Sequence, residues 1–311
     1  MLENLKSQPH ISSPSSHSSM PDVASETTLA HMGPLESVGM SGIEVPILWR
    51  DGNGETFRFS ARADAFVNLT DSQARGIHMS RLFKEVQDGL LKRPLDLPLL
   101  GEIAQSFIAT LADLSDRAEF AVSFEALLLR KALKSDNSGW RSYPVKLSVE
   151  LKKGGQACYS TEVLVTYSST CPASAALSRQ LIQQNFKAHF GQAEVQSTDV
   201  YRWLGTSEGV SATPHAQRSL ARVRVQTLGA FDFVSLIDLI EDTLATPVQT
   251  VVKREDEQEF ALRNGQNLMF CEDAARRVKK VLDGLSLTGY FGEFRHVESL
   301  HPHDAVATIK K

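Results

Sequence analysis

The chain has 311 residues, enough for one large domain or two of ordinary size, and its 42 % hydrophobic and 23 % charged content is the balance of a globular protein with a sizeable core. A formal net charge of −4 gives no general attraction to nucleic acid or anionic lipid, so neither is expected as a partner. Three cysteines are too few for a disulfide framework, no apolar run approaches the ~20 residues that span a bilayer, and the N-terminus lacks a signal-peptide stretch, so a cytoplasmic chain is expected.

Residues 1–36 read as a tail without structure. From Ser7 to Ser19 the segment is Ser/Pro-rich and has nothing to bury; His10 and His17 there read as solvated. Order is expected from near Val38. Glu44 to Arg50 predicts a short strand, and Asp51-Gly52-Asn53-Gly54 is a hairpin signal. Phe57, Phe59, Ala61, Ala63, Ala65 and Val67 alternate with polar residues, which predicts a half-buried strand. Leu82, Phe83, Val86 and Leu90 recur at helical spacing. After Pro94 and Pro98, Ile103, Phe107, Leu111 and Leu114 mark a second helix. Two more alternating strands follow, around Phe120–Leu128 and Val145–Leu151.

The second half repeats this order. Tyr159 to Tyr167 and Ala221 to Val225 alternate as strands. Asp232 reads as the N-cap of a helix carrying Phe233, Leu236, Ile237, Ile240 and Leu244, stopped by Pro247. Glu272 to Asp283 is another helix, with Gly284 as its C-cap. Strands near Leu287–Val297 and Ala305–Lys310 close the chain. The duplicated order predicts an α+β protein of tandem ββααββ modules, residues 37–154 and 155–311, each an antiparallel sheet with a helix pair on one face. Exposed sheet edges favour assembly into larger closed sheets. A long insertion, about 175–213, separates the first two strands of the second module and starts with a helix through Leu177, Leu181, Phe186 and Phe190.

In the second module the unusual polar residues fall in connections, where binding and catalytic groups concentrate. Cys171, followed by Pro172, suits a thiolate ligand, a nucleophile, or a small buried residue at a strand end. His215 suits a ligand or an ordinary polar residue entering a strand. Lys253 to Glu257 lies between the two helices and reads equally as a solvated loop. Glu272 is explained by the helix dipole alone. Glu298, His301 and His303 occupy the last hairpin, and Cys158 and Cys271 read as structural. No zinc-finger spacing, phosphate-binding glycine loop or dinucleotide fingerprint occurs.

Several phrases in order are more specific: VGMSGIEVP from Val38, VNL from Val67, GIHMSRL from Gly76, CPAS from Cys171, HAQRS from His215, KREDE from Lys253, FCED from Phe270 and ESLHPHDA from Glu298. Together they resemble the type IB GTP cyclohydrolase I family, from about Val38 to the C-terminus. The resemblance implies a tunnelling fold that assembles into a barrel-like homotetramer. The implied reaction converts GTP and water to 7,8-dihydroneopterin triphosphate and formate, the first step of tetrahydrofolate biosynthesis. It implies a divalent metal ion (zinc, manganese or ferrous iron) held by Cys171, His215 and Glu257, with Glu272 anchoring guanine and His301 and Glu298 beside the reacting ring. Arg218, Lys253, Arg254, His78, Arg81 and Arg75 are the expected substrate-binding set, the basic ones for the triphosphate. Another purine or pterin enzyme of that fold, or a non-catalytic purine-binding homologue, would share much of this pattern.

Two departures stand out. The family often carries a second cysteine two places after the first, where this chain has Ala173. Many members also place the cysteine and histidine much closer in sequence, so the insertion must loop out and leave the strand ends adjacent.

Overall fold

A computed structural model of the chain describes residues 33–192 and 194–311. Most of the Ser/Pro-rich tail, with His10 and His17, lies outside the described residues.

The first half runs β1 (Leu35–Arg50), β2 (Thr56–Leu69), α1 (Met79–Leu90), α2 (Leu97–Thr110), β3 (Arg117–Lys131) and β4 (Ser138–Lys152). The second runs β5 (Cys158–Thr170), α3 (Pro172–Phe190), α4 (Ser197–Leu204), β6 (Ala216–Thr227), α5 (Phe233–Leu244), α6 (Arg254–Gln266), α7 (Cys271–Asp283), β7 (Gly289–His296) and β8 (Ala305–Lys310). This is the predicted ββααββ order twice over, with an insertion after β5 and one helix more than expected after β6.

Among the described residues, the eight strands form one antiparallel sheet in sequence order. The turn at 153–157 joins the two halves, and β4 pairs directly with β5, from Val145↔Val163 to Glu150↔Cys158. Alternation decides which face is covered. Ala118, Phe120, Val122, Phe124, Ala126 and Leu128 of β3 are buried, as are Val145, Leu147, Val149 and Leu151 of β4. The same side of β5 and β6 buries Val163, Val165, Ala221, Val223 and Val225. These side chains share one hydrophobic cluster with Leu82, Val86, Phe107, Ile237, Ile240, Val278 and Leu282 from the helices, so the helices cover one face. Each large side chain removed from water contributes about 1.5–3 kcal/mol. The other face carries Arg62, Glu125, Lys146, Glu162 and Arg222 around an open hollow of about 850 Å³.

Local signals set the helix ends. The Asp96 carboxylate accepts the Leu99 N–H (2.8 Å), so Pro98 sits in the first turn of α2, where its missing N–H costs nothing, and does not break it. Asp232 caps α5 as expected, accepting the Ser235 N–H at 2.9 Å. Strand β1 is longer than the predicted Glu44–Arg50, because irregularities near Leu35/Val38 and Met40/Ile43 interrupt its alternation. Gly42 occupies one of them at φ +70°, donating its N–H to Asp64 (3.0 Å).

Two segments differ from the sequence reading. Lys253–Glu257 is not an open connection: Arg254 begins α6 and Lys253 is its N-cap. The helix has no apolar stripe, and its only buried residue is Asp256, so periodicity could not reveal it. The insertion helix α3 starts at Pro172, with Cys171 as its N-cap. Its Leu177 and Leu181 face solvent, while Phe186 and Phe190 pack on Trp203 of α4.

Candidate active site at one end of the sheet

Antiparallel pairing in sequence order brings the C-terminal ends of β5 and β7 and the N-terminal end of β6 to the same end of the sheet. The β5–β6 register runs to Thr170↔Ala216. Beyond it, the Cys171 N–H donates to the His215 carbonyl (3.2 Å), and the His215 N–H donates to Ser174 Oγ (3.1 Å). The insertion therefore leaves and returns through adjacent strand ends, and the residues on either side of it, Cys171 and His215, become neighbours. Cys171 is a free thiol, half-buried, and its carbonyl accepts the Ala175 N–H (3.0 Å) as α3 begins.

The His215 ring is fixed from one side. Its Nδ1 lies 2.9 Å from Gln217 Oε1 and 3.9 Å from Glu298 Oε2. That Glu298 oxygen is buried and has no hydrogen-bond partner among the described residues. Behind Gln217 runs a buried polar chain. Gln217 Nε2 donates to Ser169 Oγ (3.0 Å), which lies 2.8 Å from Ser219 Oγ and 3.2 Å from His296 Nδ1. His296 Nε2 is 3.0 Å from the Tyr167 hydroxyl. Burial pushes His296 down to about 4, against the opposing pull of the Glu272 and Asp273 carboxylates, so the ring is neutral. Burial also pushes the Tyr167 hydroxyl well up.

Glu272 reaches the same end because the Met269 N–H donates to the Thr170 carbonyl (3.1 Å), setting the start of α7 beside the end of β5. Glu272 is exposed on the first turn, and its Oε2 accepts weakly from Cys271 Sγ (3.4 Å). Cys271 itself is buried, and burial together with Glu272 pushes its thiol up to about 11, so it is a protonated packing residue.

Helix α6 is anchored at this end by Asp256. Its carboxylate accepts from Ser135 Oγ (2.6 Å) and from the N–H groups of Lys134, Ser135 and Lys253. Those bonds, Ser135 foremost, hold it well below the usual carboxylate range. Lys253, Arg254 and Glu257 are exposed around this anchor, and the Glu257 side chain has no hydrogen-bond or ion-pair partner among the described residues. Arg218 is exposed on the opposite face of β6 from Gln217. His301 and His303 are exposed and stack at 5.2 Å between β7 and β8.

His78 and Arg81 lie elsewhere. They follow the C-terminal end of β2, at the opposite end of the sheet from Cys171. The Arg81 guanidinium donates to the Thr110 carbonyl (3.1 Å) at the end of α2, and Arg75 is in the same region. Within one chain, then, Cys171, His215 and Glu298 come together, with Glu272, His301, Arg218, Lys253, Arg254 and Glu257 toward the same end. Among the described residues no group of three or more His, Cys, Asp or Glu is arranged to enclose a metal ion.

Gln217, Ser169, Ser219, His296 and Tyr167 were not anticipated. Their signal was present: the inward positions of β5 and β6 change from Val165 and Ala221 to Tyr167, Ser169, Ser219 and Gln217 at this end.

The model of the family described as type I GTP cyclohydrolase folE2 matches residues 20–307. The chain is 55 % identical over 295 residues to GTP cyclohydrolase FolE2 of Bdellovibrio bacteriovorus, covering 94 % of this chain and 96 % of that one. It is 46 % identical over 295 residues to GTP cyclohydrolase FolE2 of Pseudoalteromonas translucida, covering 94 % and 97 %. Among solved structures, uricase from Arthrobacter globiformis aligns with a TM-score of 0.47 at 9 % identity, over 91 % of this chain and 95 % of that one. With nearly the whole length matched by the family and by relatives far above 30 % identity, the chain belongs to the type I GTP cyclohydrolase folE2 family.

Proposed function

We propose that this chain is a metal-dependent GTP cyclohydrolase that converts GTP and water to 7,8-dihydroneopterin triphosphate and formate. The observation that carries the reading is the meeting of Cys171 and His215 across the insertion, held by one backbone hydrogen bond. Beside them lies the unpartnered buried oxygen of Glu298, 3.9 Å from His215 Nδ1. A thiol, an imidazole and an unsatisfied carboxylate oxygen at one exposed end suit a positive charge.

Cys171 and His215 would supply two ligands, and the exposed carboxylate of Glu257, without a side-chain partner among the described residues, the third. Ala173 contributes none. The mixed sulfur, nitrogen and oxygen set accepts zinc, manganese or ferrous iron. Such an ion supplies Lewis acidity and lowers the pKa of water, which the hydrolytic removal of purine carbon 8 requires.

The chain's own residues bind and move protons. Glu272, exposed on the first turn of α7, accepts two N–H bonds from the guanine edge, and adenine would leave that carboxylate unpaired. His301 delivers a proton to the ring nitrogen as the imidazole opens, and Glu298 holds the adjoining ring. Arg218, Lys253 and Arg254 take the triphosphate at this end. His78, Arg81 and Arg75 lie at the other end of the sheet, so a second copy must bring them. The two open edges, β1 and β8, are suited to a closed homotetramer in which each site is shared.

Purified protein supplied with GTP and zinc, manganese or ferrous iron is expected to release formate and to give fluorescent neopterin after oxidation. Cys171→Ala and Glu257→Ala are expected to abolish both signals. GTP binding without turnover under every metal would overturn the reading and leave a purine-binding homologue.

A further inference from the structure

We propose that Gln217 is a positioning residue: it fixes the tautomer of His215 that leaves Nε2 free to ligate, and is itself held by the buried Ser169–Ser219–His296–Tyr167 chain. This rests on the reading that His215 holds a metal, but it concerns only side chains of this protein.

The argument starts from register. Ser169 pairs with Gln217, Tyr167 with Ser219, and Ser219 with His296, all on the covered face. Their side chains are therefore cross-strand neighbours on the covered face. All five are at most 8 % exposed, so each polar atom needs a partner inside the protein.

The contacts of Gln217 set its orientation. Its Nε2 donates to Ser169, so its Oε1 faces His215. An oxygen 2.9 Å from Nδ1 can only accept, so Nδ1 carries the hydrogen. The second group on that side, the Glu298 carboxylate 3.9 Å away, favours a hydrogen there as well. No donor faces Nδ1. A neutral imidazole with its hydrogen on Nδ1 has its lone pair on Nε2, the only ring atom left for a cation.

Beyond Gln217 the chain closes on neutral groups. The distances fit an arrangement in which Tyr167 donates to His296 Nε2, His296 Nδ1–H to Ser169, and Ser169 to Ser219, leaving Ser169 a lone pair for Gln217. Without that anchor the amide is free to turn, present its NH₂ to His215, and select the tautomer whose Nε2 bears hydrogen and cannot ligate.

The test uses full-length protein labelled with ¹⁵N-histidine. In the metal-free parent, His215 is expected as the Nδ1–H tautomer; in Gln217→Met, which keeps the volume but removes the acceptor, it is expected as a mixture. Zinc affinity, read by competition with a chromophoric chelator, is expected to fall about 10- to 100-fold in Gln217→Met. Gln217→Glu keeps an oxygen on Nδ1, with Ser169 able to turn its hydroxyl toward it, and is expected to retain most of the affinity. An unchanged tautomer and affinity in Gln217→Met, or equal losses in both variants, would overturn the proposal and leave a packing role. His215→Ala tests the underlying reading separately: zinc binding that survives it removes His215 as a ligand, while the tautomer measurement still decides what Gln217 does.

Discussion

Acid should destabilise this protein through His296, and the amount follows from the structure. The ring is 2 % exposed between Tyr167 and Ser169, and burial moves it from an ordinary 6.5 down to about 4, with Glu272 and Asp273 opposing. Above pH 6.5 neither the folded nor the unfolded chain protonates this side chain. Between about 4 and 6.5 the unfolded chain takes up a proton that the folded chain refuses, so stability falls as pH falls. The full difference is about 3 kcal/mol, and about 2 kcal/mol of it is lost between pH 7.5 and pH 5.0. His296→Gln can still bridge Tyr167 and Ser169 but does not titrate. It should be less stable than the parent at pH 7.5, and its further loss on going to pH 5.0 should be smaller by about 2 kcal/mol. Urea unfolding at fixed protein concentration, followed through Trp49, Trp140 and Trp203, measures both slopes. Equal losses in parent and variant would refute the assignment of a buried neutral ring.

Other changes separate the cysteines and the frame. Cys171→Ala should end GTP turnover, while Cys158→Ala, on the uncovered face at the opposite end of β5 from Cys171, should leave it unchanged; a formate assay on both distinguishes them. At pH 8, iodoacetamide should label Cys171 faster than Cys271, whose thiol is buried and pushed up to about 11; mass mapping over time reads the order. Asp232→Ala removes the acceptor of the Ser235 N–H and should cost about 1 kcal/mol in unfolding experiments without affecting the site. Asp256→Ala leaves the N–H groups of Lys134, Ser135 and Lys253 unpaired. It should loosen α6, read as faster amide exchange through the start of that helix.

Much of the frame was legible in the sequence because it rests on periodicity. Strand β3 alternates from Ala118 to Leu128, and α5 carries Phe233, Leu236, Ile237, Ile240 and Leu244 behind a real Asp232 cap. Helix α6 was not legible, because what seats it is one buried carboxylate, Asp256, bonded to a hairpin far away in sequence. In α3, Leu177 and Leu181 have apolar spacing but face solvent, since the insertion packs through Phe186, Phe190 and Trp203 instead. Cys171 and His215 could be named from the family resemblance. That they are neighbours is a consequence of the β5–β6 register, which carries the pairing to Thr170↔Ala216.

The polar lining behind His215 has a physical rationale that pattern reading passes over. Apolar side chains at Ser169, Ser219 and His296 would satisfy the core equally well, and buried polar networks are tolerated only when every member is paired. Here the network is paired throughout and lies where the covered face of β5, β6 and β7 meets the site. Its bonds converge on one ring atom, Nδ1 of His215, through a single amide. A hydrophobic wall could hold that ring in place but could not decide which nitrogen carries the hydrogen. Three pairs of cross-strand neighbours supply that decision without any moving part, and the next inward positions, Val165 and Ala221, are apolar.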